Sequence, residues 1–519
     1  MVVLTTARLP TTTRCGDVTR PVRDDAPMPE RQLTPPVAVW GIEPDRLETC
    51  LQVLAEIDRL PVDHPDAFLV RQATAGIFKS MKVRRRKDRQ QADREITAAT
   101  ATAAPDRIDD ETRGIALTAP TDAGSVGTLH RPRACYTCKR RYHEVHAFYH
   151  QLCPPCAELN WSRREARTDL TGRRALLTGG RAKIGMHIAL RLLRDGAHTT
   201  ITTRFPTDAV RRFTAMPDSE EWIHRLRVVG IDLRDPQQVV ALADTVADQG
   251  PLDVLINNAA QTVRRSPGSY AQLVAAESAP LPDVALPDVV LLGRTDRAHV
   301  PVLSSVGDAS GAAEITELSG RTWSAHELTA LALTSGSASL DRVAAQTAID
   351  AGGLVPDLDA VNSWTRRVHE VDALELLEVQ LCNITAPFIL VSRLRPSMAA
   401  SAARRTYVVN VSAMEGQFTR GYKAPGHPHT NMAKAALNML TRTSAEEMLT
   451  DGILMTSVDT GWITDERPHP TKARLATEGF HAPLDLADGA ARVYDPVVRG
   501  ELGEDLFGCF LKDYAPTAW

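Results

Sequence analysis

Short apolar segments alternate with helically spaced ones through most of the chain after residue 170. Ala175, Leu176 and Leu177 form a run typical of a strand buried on both faces, and from Ile184 apolar residues recur at helical spacing. Further strands are predicted over residues 198–203, 226–232, 254–257, 405–411, 453–458 and 506–512, and further helices over 236–249, 371–390 and 430–449. This alternation predicts an α/β fold, a Rossmann-like doubly wound parallel sheet with helices on both faces.

The first 130 residues show a different pattern and are predicted to form a helical, partly disordered region. Residues 1 to about 40 are rich in Pro, Thr and Arg without periodicity, which is typical of disorder. Residues 44–59 carry leucines at helical spacing, and a second helix is predicted from Asp66. That helix runs into a basic segment from Lys82 to Arg89, with six basic residues in eight. The segment is interpreted either as a solvated face or as a site for a protein or nucleic-acid partner.

Two C-x-x-C pairs predict a small metal-binding module over residues 131–160, between the N-terminal region and the sheet. The pairs are Cys135 with Cys138 and Cys153 with Cys156, four of the eight cysteines in the chain. Four thiolates at this spacing can form a closed tetrahedral zinc site, which supplies folding free energy and leaves no position for a catalytic water. The pattern indicates a reducing compartment, and we expect a cytoplasmic protein.

A glycine-containing turn links the first strand of the predicted sheet to its helix. It reads T-G-G-R-A-K-I-G from Thr178 to Gly185, and N-N-A-A follows the fourth strand at residues 257–260. Free N–H groups at a helix start bind anions, and glycines let the backbone approach a diphosphate closely. Together these motifs resemble those of the short-chain dehydrogenase/reductase family, over residues 170–519 with an insertion at about 262–366.

The resemblance implies a catalytic site with one departure from the family pattern. It assigns the family's asparagine, serine and lysine to Asn383, Ser412 and Lys434. The tyrosine position, four residues before the lysine, holds Thr430, whose aliphatic hydroxyl is a far weaker acid than a phenol with a pKa near ~10. Three side chains are left as candidate proton donors, in this order of preference: His427, His429 and Tyr422. A site with no proton donor also remains open.

The resemblance further implies a dinucleotide cofactor, and two arginines favour NADP over NAD. Arg181 lies in the glycine turn and Arg204 at the end of the second strand, where NAD enzymes place an acid. Lys183 replaces the middle glycine of the family turn, and Asp232 matches the family's adenine contact. The residues assigned to the cofactor are Thr178, Gly179, Gly180, Arg181, Lys183, Ile184, Gly185, Arg204, Asp232, Asn258, Ala259, Lys434 and Gly461.

Composition adds few constraints to this interpretation. The formal charge of −4 does not indicate a polyanion-binding protein, and no apolar run approaches the ~18 residues of a membrane span. We therefore expect a cytoplasmic NADP-dependent oxidoreductase that acts on a small carbonyl, alcohol or enoyl substrate, contains zinc, forms a homo-oligomer and does not bind membranes. The alternative is a nucleotide-binding scaffold whose zinc module and basic helix recruit protein or nucleic acid. The insertion is expected to be a lid, a partner-binding flap or a disordered loop, with a proline-rich loop over residues 279–287 and short helices near 324–333 and 340–351.

Overall fold

The computed structural model describes residues 41–104, 107, 124–292, 348–463 and 466–519, with isolated positions at 324, 327, 329–330, 342 and 345–346. The expected disorder of residues 1–40 lies outside the described residues. So do most residues of the short helices expected near 324–333 and 340–351.

The described residues form a nine-stranded sheet of the predicted doubly wound kind. Its strands are β3 (Arg174–Leu177), β4 (His198–Thr203), β5 (Leu226–Gly230), β6 (Val254–Asn257), β7 (Asp288–Leu291), β8 (Thr406–Ser412), β9 (Ile453–Asp459), β10 (Phe510–Lys512) and β11 (Ala515–Thr517), in the order β11-β10-β9-β8-β6-β3-β4-β5-β7. All neighbours pair in parallel except β10 with β11. The strand order reverses beside β3, so ligands are expected at the carboxyl ends of β3 and β6.

Helices cover both faces of this sheet and build two cores. They are α4 (Lys183–Arg194), α5 (Pro206–Thr214), α6 (Pro236–Asp248), α7 (Ala271–Glu277), α8 (Ala373–Gln380), α9 (Ala386–Ala399), α10 (Pro428–Leu449), α11 (His469–Thr477) and α12 (Leu486–Glu501). Successive strand residues point to opposite faces, so Leu176 and Val408 join one buried cluster while Leu177 and Val409 join the other. This two-faced burial explains why the strands read as continuous apolar runs.

A hairpin module lies before the sheet and contains the four cysteines. Its strands β1 (Ser125–Ala134) and β2 (Arg141–His146) pair antiparallel, and α3 (Pro154–Arg164) follows. Arg164 of α3 bonds both Asp485, at 2.6 and 2.8 Å, and Asp488, at 3.1 Å. Since all three side chains are buried, this pairing holds the module against the start of α12.

The insertion contributes a strand, β7, directly after residues 279–287, the segment expected to be a proline-rich loop, which contains no helix or strand. β7 pairs with β5 from Arg227 opposite Asp288 to Gly230 opposite Leu291. The sequence analysis did not predict β7, because four residues are too few for a periodic signal. The open edge of β5 offers unpaired backbone groups to a nearby extended segment. Another part of the insertion, Leu273 of α7 and Ile349, packs with Phe205 beside α5.

The N-terminal helices form a separate unit that ends at Arg84, and the rest of the described chain forms the second unit. The unit contains α1 (Pro44–Ile57) and the first part of α2 (Pro65–Ala98). Apolar side chains of α1, such as Leu47 and Leu51, are exposed, as are Phe68 and Phe78 of α2. The sequence predicted both helices, and α2 continues through the basic segment from Lys82 to Arg89.

One helical run in the described residues is long and apolar enough to cross a membrane by length and composition alone. It spans Ala373–Ala399, with a mean hydropathy of 1.5 over its most apolar stretch. This finding corrects the expectation from the sequence that no apolar segment approaches the length of a membrane span. Part of that stretch, 44%, is buried, and Leu390 and Leu394 lie in one of the two cores. Core helices of water-exposed folds commonly have this composition, so the run is weak evidence for a membrane.

Candidate active site

A cavity of about 1050 Å³ opens at the carboxyl ends of the central strands. Its floor is formed by the glycine turn after β3, and its walls include the ends of β4, β6, β8 and β9, residues 420–427 and the beginning of α10. The large volume suits an extended ligand, since pockets for drug-sized molecules usually measure ~300–1,000 Å³. All of the predicted cofactor residues except Thr178 and Gly180 line it.

Two glycines of the turn have no room for a side chain. A Cβ at Gly185 would lie 1.9 Å from the Gly179 carbonyl oxygen, so the start of α4 lies directly against the turn. Gly179 itself has φ of 70°, and a Cβ there would lie 3.0 Å from Ala259. The absence of side chains brings backbone groups and the helix N-terminus to the cavity surface, as an anion site requires.

Hydrogen bonds tie this turn to the segment after β6. The Thr178 hydroxyl accepts from the N–H groups of Asn258 and Ala259, at 3.0 Å each. The Asn258 amide donates to the carbonyl oxygens of Thr178 and Gly179, at 3.0 and 3.1 Å. Thr178 and Asn258 therefore fix the turn from behind, which explains why Thr178 is buried and does not line the cavity.

Lys183, in place of a glycine, adopts a left-handed conformation with φ of 54°. Such a φ is unusual for a side chain with a Cβ, and the surrounding turn must hold it there. Its ammonium lies 3.8 Å from Asp350, a residue of the insertion. The turn thus keeps at Lys183 the left-handed backbone conformation that favours glycine, and the lysine side chain adds a cation at the cavity.

The two arginines proposed to select NADP differ in their surroundings. Arg181 pairs at 2.5 Å with Asp208, a buried carboxylate that also pairs with Arg212. Arg204 lies over the rings of Phe205 and Tyr270, at 5.7 and 5.3 Å from their centres. Both guanidinium groups line the cavity, and that of Arg204 is positioned there by aromatic faces.

Asp232 lies at the cavity but has a strong partner of its own. It pairs with Arg234 through both carboxylate oxygens, at 3.0 and 2.6 Å. Arg234 also reaches Glu378 at 2.9 Å. Asp232 is therefore held at the cavity wall by its ion pair with Arg234.

Lys434 and Ser412 come together at the closed end of the cavity. The Lys434 ammonium donates to the Val411 carbonyl at 2.8 Å, and burial lowers the pKa of this lysine to about 8. The Ser412 hydroxyl donates to the Lys434 carbonyl at 3.4 Å. Ser412 at the end of β8 and Lys434 on α10 are thus linked to each other and line the same cavity.

Asn383 lies just behind this wall, on an irregular turn between α8 and α9. Residues Leu381–Thr385 form a π-helical turn, a distortion that often occurs at functional sites. The Asn383 side chain accepts from the Gln261 N–H at 2.7 Å and donates to the Gln261 carbonyl at 3.0 Å. Asn383 is therefore buried and anchors the segment after β6, while its neighbour Cys382 lines the cavity.

Thr430 and His427 both line the cavity near Lys434, but only His427 carries a titratable group. The Thr430 hydroxyl is buried with no hydrogen-bond partner among the described residues. His427 precedes α10 with φ of 44°, and its ring stacks on Trp364 with centres 3.8 Å apart. Its Nδ1 lies 2.9 Å from the Trp364 carbonyl and must carry the proton there. Burial lowers the pKa of His427, against a smaller opposite effect of this hydrogen bond.

The other two candidate donors lie in less suitable places. His429 does not line the cavity; it is buried with its Nε2 3.6 Å from Glu375. Its position after Pro428 turns it away from Lys434, toward α8. Tyr422 does line the cavity but is 73% exposed, so it lies at the mouth.

The four cysteines converge as the spacing predicted. Their Sγ atoms all lie within 4.8 Å of one another, and those of Cys138 and Cys153 are 3.5 Å apart. A tetrahedral shell with metal–sulfur bonds of ~2.3 Å needs similar separations, so the four residues fit a zinc ion. The Cys153 N–H donates to the Cys135 sulfur at 3.3 Å, which stabilises a thiolate.

Sequence reasoning missed several residues that line the cavity. Tyr136 and Lys139 belong to the first cysteine pair, and Trp364 and Asp350 to the insertion. Glu415, the carboxylate that most opposes the burial effect on the pKa of Lys434, was missed as well. No local signal could have found them, because each reaches the cavity only through contacts between distant segments.

Several known proteins are similar to this chain in amino-acid sequence. A family model described as short chain dehydrogenase matches residues 173–277 and 288–473. An uncharacterized protein of Acanthamoeba polyphaga mimivirus is 31% identical over 379 residues, covering 70% of this chain and 71% of that one. A probable oxidoreductase of Streptomyces antibioticus is 38% identical over 94 residues, 18% of this chain and 30% of that one.

Solved structures are similar at lower identity. A short-chain dehydrogenase of Burkholderia cenocepacia, in complex with NADP, is 19% identical, with a TM-score of 0.40, covering 66% of this chain and 97% of that one. The family model covers more than half of the 519 residues. With the strand order and the glycine turn, this match shows that the chain belongs to the short-chain dehydrogenase family.

Proposed function

We propose that this oxidoreductase uses NADP(H) to transfer hydride to or from a small carbonyl or alcohol substrate. The observation that carries the proposal is the meeting of Lys434 and Ser412 at the closed end of a cavity that begins at the glycine turn. A dinucleotide with its diphosphate at the start of α4 would extend toward these two residues. The cavity thus offers room for a dinucleotide and places polar side chains where its nicotinamide would meet the substrate.

Ser412 and His427 have different roles in the proposed reaction. Bound nicotinamide would supply or accept the hydride. The Ser412 hydroxyl would hold the substrate oxygen, and His427 would give that oxygen a proton during reduction or take one during oxidation. Its Nδ1–H is engaged by the Trp364 carbonyl, so Nε2 is the nitrogen that exchanges the proton. Positioned acids and bases of this kind contribute ~10²–10⁴-fold to a rate.

Arg204 supports a preference for NADP over NAD. Its guanidinium is placed at the end of β4 by two aromatic rings, where the 2′-phosphate of a bound NADP would lie. We expect Arg204→Asp to reduce the ratio of NADPH to NADH affinity by about tenfold or more, because a carboxylate would repel the phosphate and accept from the ribose hydroxyls. An unchanged ratio in titration calorimetry would remove Arg204 from this role.

The proposed function is tested by nucleotide binding and turnover with wild-type protein. NADPH should bind, and its absorbance should decrease in the presence of at least one compound in a panel of aldehydes, ketones and enoyl compounds. Lys434→Met should abolish most of this turnover, because it removes the buried cation beside Ser412. Binding of NADPH without turnover of any compound would instead favour the scaffold alternative. Failure to bind either nucleotide would contradict both.

A further inference from the structure

Two side chains beside the first cysteine pair form part of the wall of the proposed cofactor cavity. We call residues 135–139 the first knuckle; its side chains Tyr136 and Lys139 line the same cavity as Ile184 and Gly185 of the glycine turn. Zinc modules of this size usually stand apart as folding units or partner-binding units. Here the module contributes surface to the site.

Two sets of contacts hold the first knuckle in this place. The Tyr136 hydroxyl accepts from the Trp462 N–H at 2.8 Å, in the loop after β9. Ile184, at the start of α4, and Ile463 pack in one buried cluster with Leu152 of the module. The first knuckle is therefore positioned on the glycine turn from one side and on the loop after β9 from another.

Lys139 is the charged residue of the first knuckle and has no carboxylate partner among the described residues. Its ammonium donates to the Tyr136 carbonyl and lies 5.2 Å from the centre of the Tyr136 ring. Its backbone is left-handed, with φ of 63°, and its N–H donates to the Cys135 carbonyl at 3.2 Å. The tight turn between the cysteines thus determines where this cation lies.

We propose that Lys139 binds the diphosphate of the dinucleotide, so that the zinc module forms part of the cofactor site. This inference rests on the proposed function. The diphosphate of a bound dinucleotide lies at the helix N-terminus after the glycine turn, and a nearby lysine adds the countercharge that its two negative charges require. Lys183, the cation within the turn, already has Asp350 nearby.

The test compares nucleotide affinities of Lys139→Gln, Lys139→Arg and Arg140→Gln by titration calorimetry, with zinc content and circular dichroism measured for each. Arg140 is the matched control, an exposed neighbouring cation that does not line the cavity. Lys139→Gln should weaken NADPH and NADH equally, by about tenfold, because both carry the diphosphate. Lys139→Arg should restore most of the affinity, and Arg140→Gln should change it by less than about twofold.

A second measurement removes the metal from the wild-type protein instead of changing Lys139. Removal of zinc from wild-type protein by a chelator should weaken both nucleotides at least as much as Lys139→Gln, and added zinc should restore them. The proposal is overturned if Lys139→Gln binds like Arg140→Gln, or if it loses affinity for NADPH alone, which would assign Lys139 to the 2′-phosphate. It is also overturned if zinc removal leaves both affinities unchanged. If wild-type protein binds neither nucleotide, the proposed function itself fails.

Discussion

At the scale of single residues, the departure that matters most is Thr430 in the family's tyrosine position. Its hydroxyl is buried with no hydrogen-bond partner in the part of the chain that the structure describes, one helical turn before a lysine whose pKa is lowered to about 8 by burial. The position therefore keeps the environment of a proton-transfer site without an acid of suitable strength. His427, stacked on Trp364 at the same wall, is the residue in the described chain best placed to replace it.

We expect His427→Asn to lower turnover by ~10²–10⁴-fold while NADPH affinity stays nearly unchanged. Asparagine is chosen because it tolerates the left-handed backbone at this position, so the loss reports the imidazole rather than strain. Tyr422→Phe is the matched control, since it removes a hydroxyl at the mouth of the same cavity. Steady-state kinetics check this, and full activity of His427→Asn would contradict the assignment.

The pH dependence of turnover tests whether His427 donates the proton in reduction and accepts it in oxidation. His427 must be protonated to act in reduction, and burial holds its pKa below the ordinary value. Reduction in the wild type should therefore be fastest in acid and fall as pH rises toward neutrality, whereas alcohol oxidation should rise over the same range. Thr430→Tyr places a phenol four residues before Lys434 and should restore activity in the His427→Asn background. In that double variant, the rate of reduction should no longer fall as pH rises toward neutrality.

At the scale of elements, the cysteine hairpin depends on metal in a way that the sheet does not. The module packs few apolar side chains around four thiols, whereas the sheet has two extended cores. A module of this kind gains much of its folding free energy from the metal. Arg164 of the module pairs with Asp485 and Asp488, so the folded module also stabilises the start of α12.

Cys138→Ser should abolish the binding of about one zinc per chain and lower the midpoint of thermal unfolding. Cys50→Ser is the matched control, since Cys50 is an exposed cysteine on α1 outside the cluster. Metal analysis and thermal unfolding check this prediction. Unchanged zinc content in Cys138→Ser would show that the four cysteines do not form the site.

At the scale of the whole molecule, buried histidines make the free energy of unfolding depend on pH. Burial lowers the pKa values of His187 and His469 to about 4 each. The unfolded chain, with pKa values near ~6.5, binds more protons than the native state between pH ~6.5 and ~4. Stability should therefore fall as pH decreases through this window, by up to about 1.4 kcal/mol per pH unit for each histidine.

Replacing one of these histidines should make that dependence shallower. His187 lies on α4, and its Nε2 has no partner among the described residues, so His187→Gln removes a titrating group without breaking a hydrogen bond at that nitrogen. Denaturant unfolding of both proteins at pH 7.5, 6 and 5 isolates the contribution, because zinc release affects both alike. Parallel pH dependences would show that His187 does not titrate as expected.

Features encoded in neighbouring residues were determined by the sequence alone. Apolar runs and helical spacing predicted the strands from β3 to β6 and the helix with Lys434, because each element's periodicity reflects its own burial. The glycine turn and the cysteine spacing predicted their geometry because backbone conformation and ligand distance are set within a few residues. The family followed from these motifs together.

Only the tertiary structure decided which distant segments meet at the cavity. β7 joined the sheet because the edge of β5 was open, and His429 turned toward Glu375 while His427 stacked on Trp364 of the insertion. Lys139 lines the cavity because a buried cluster and an ion-pair network hold the cysteine hairpin against the rest of the second unit. Such contacts depend on packing between segments far apart in the chain, and periodicity along one segment carries no information about them.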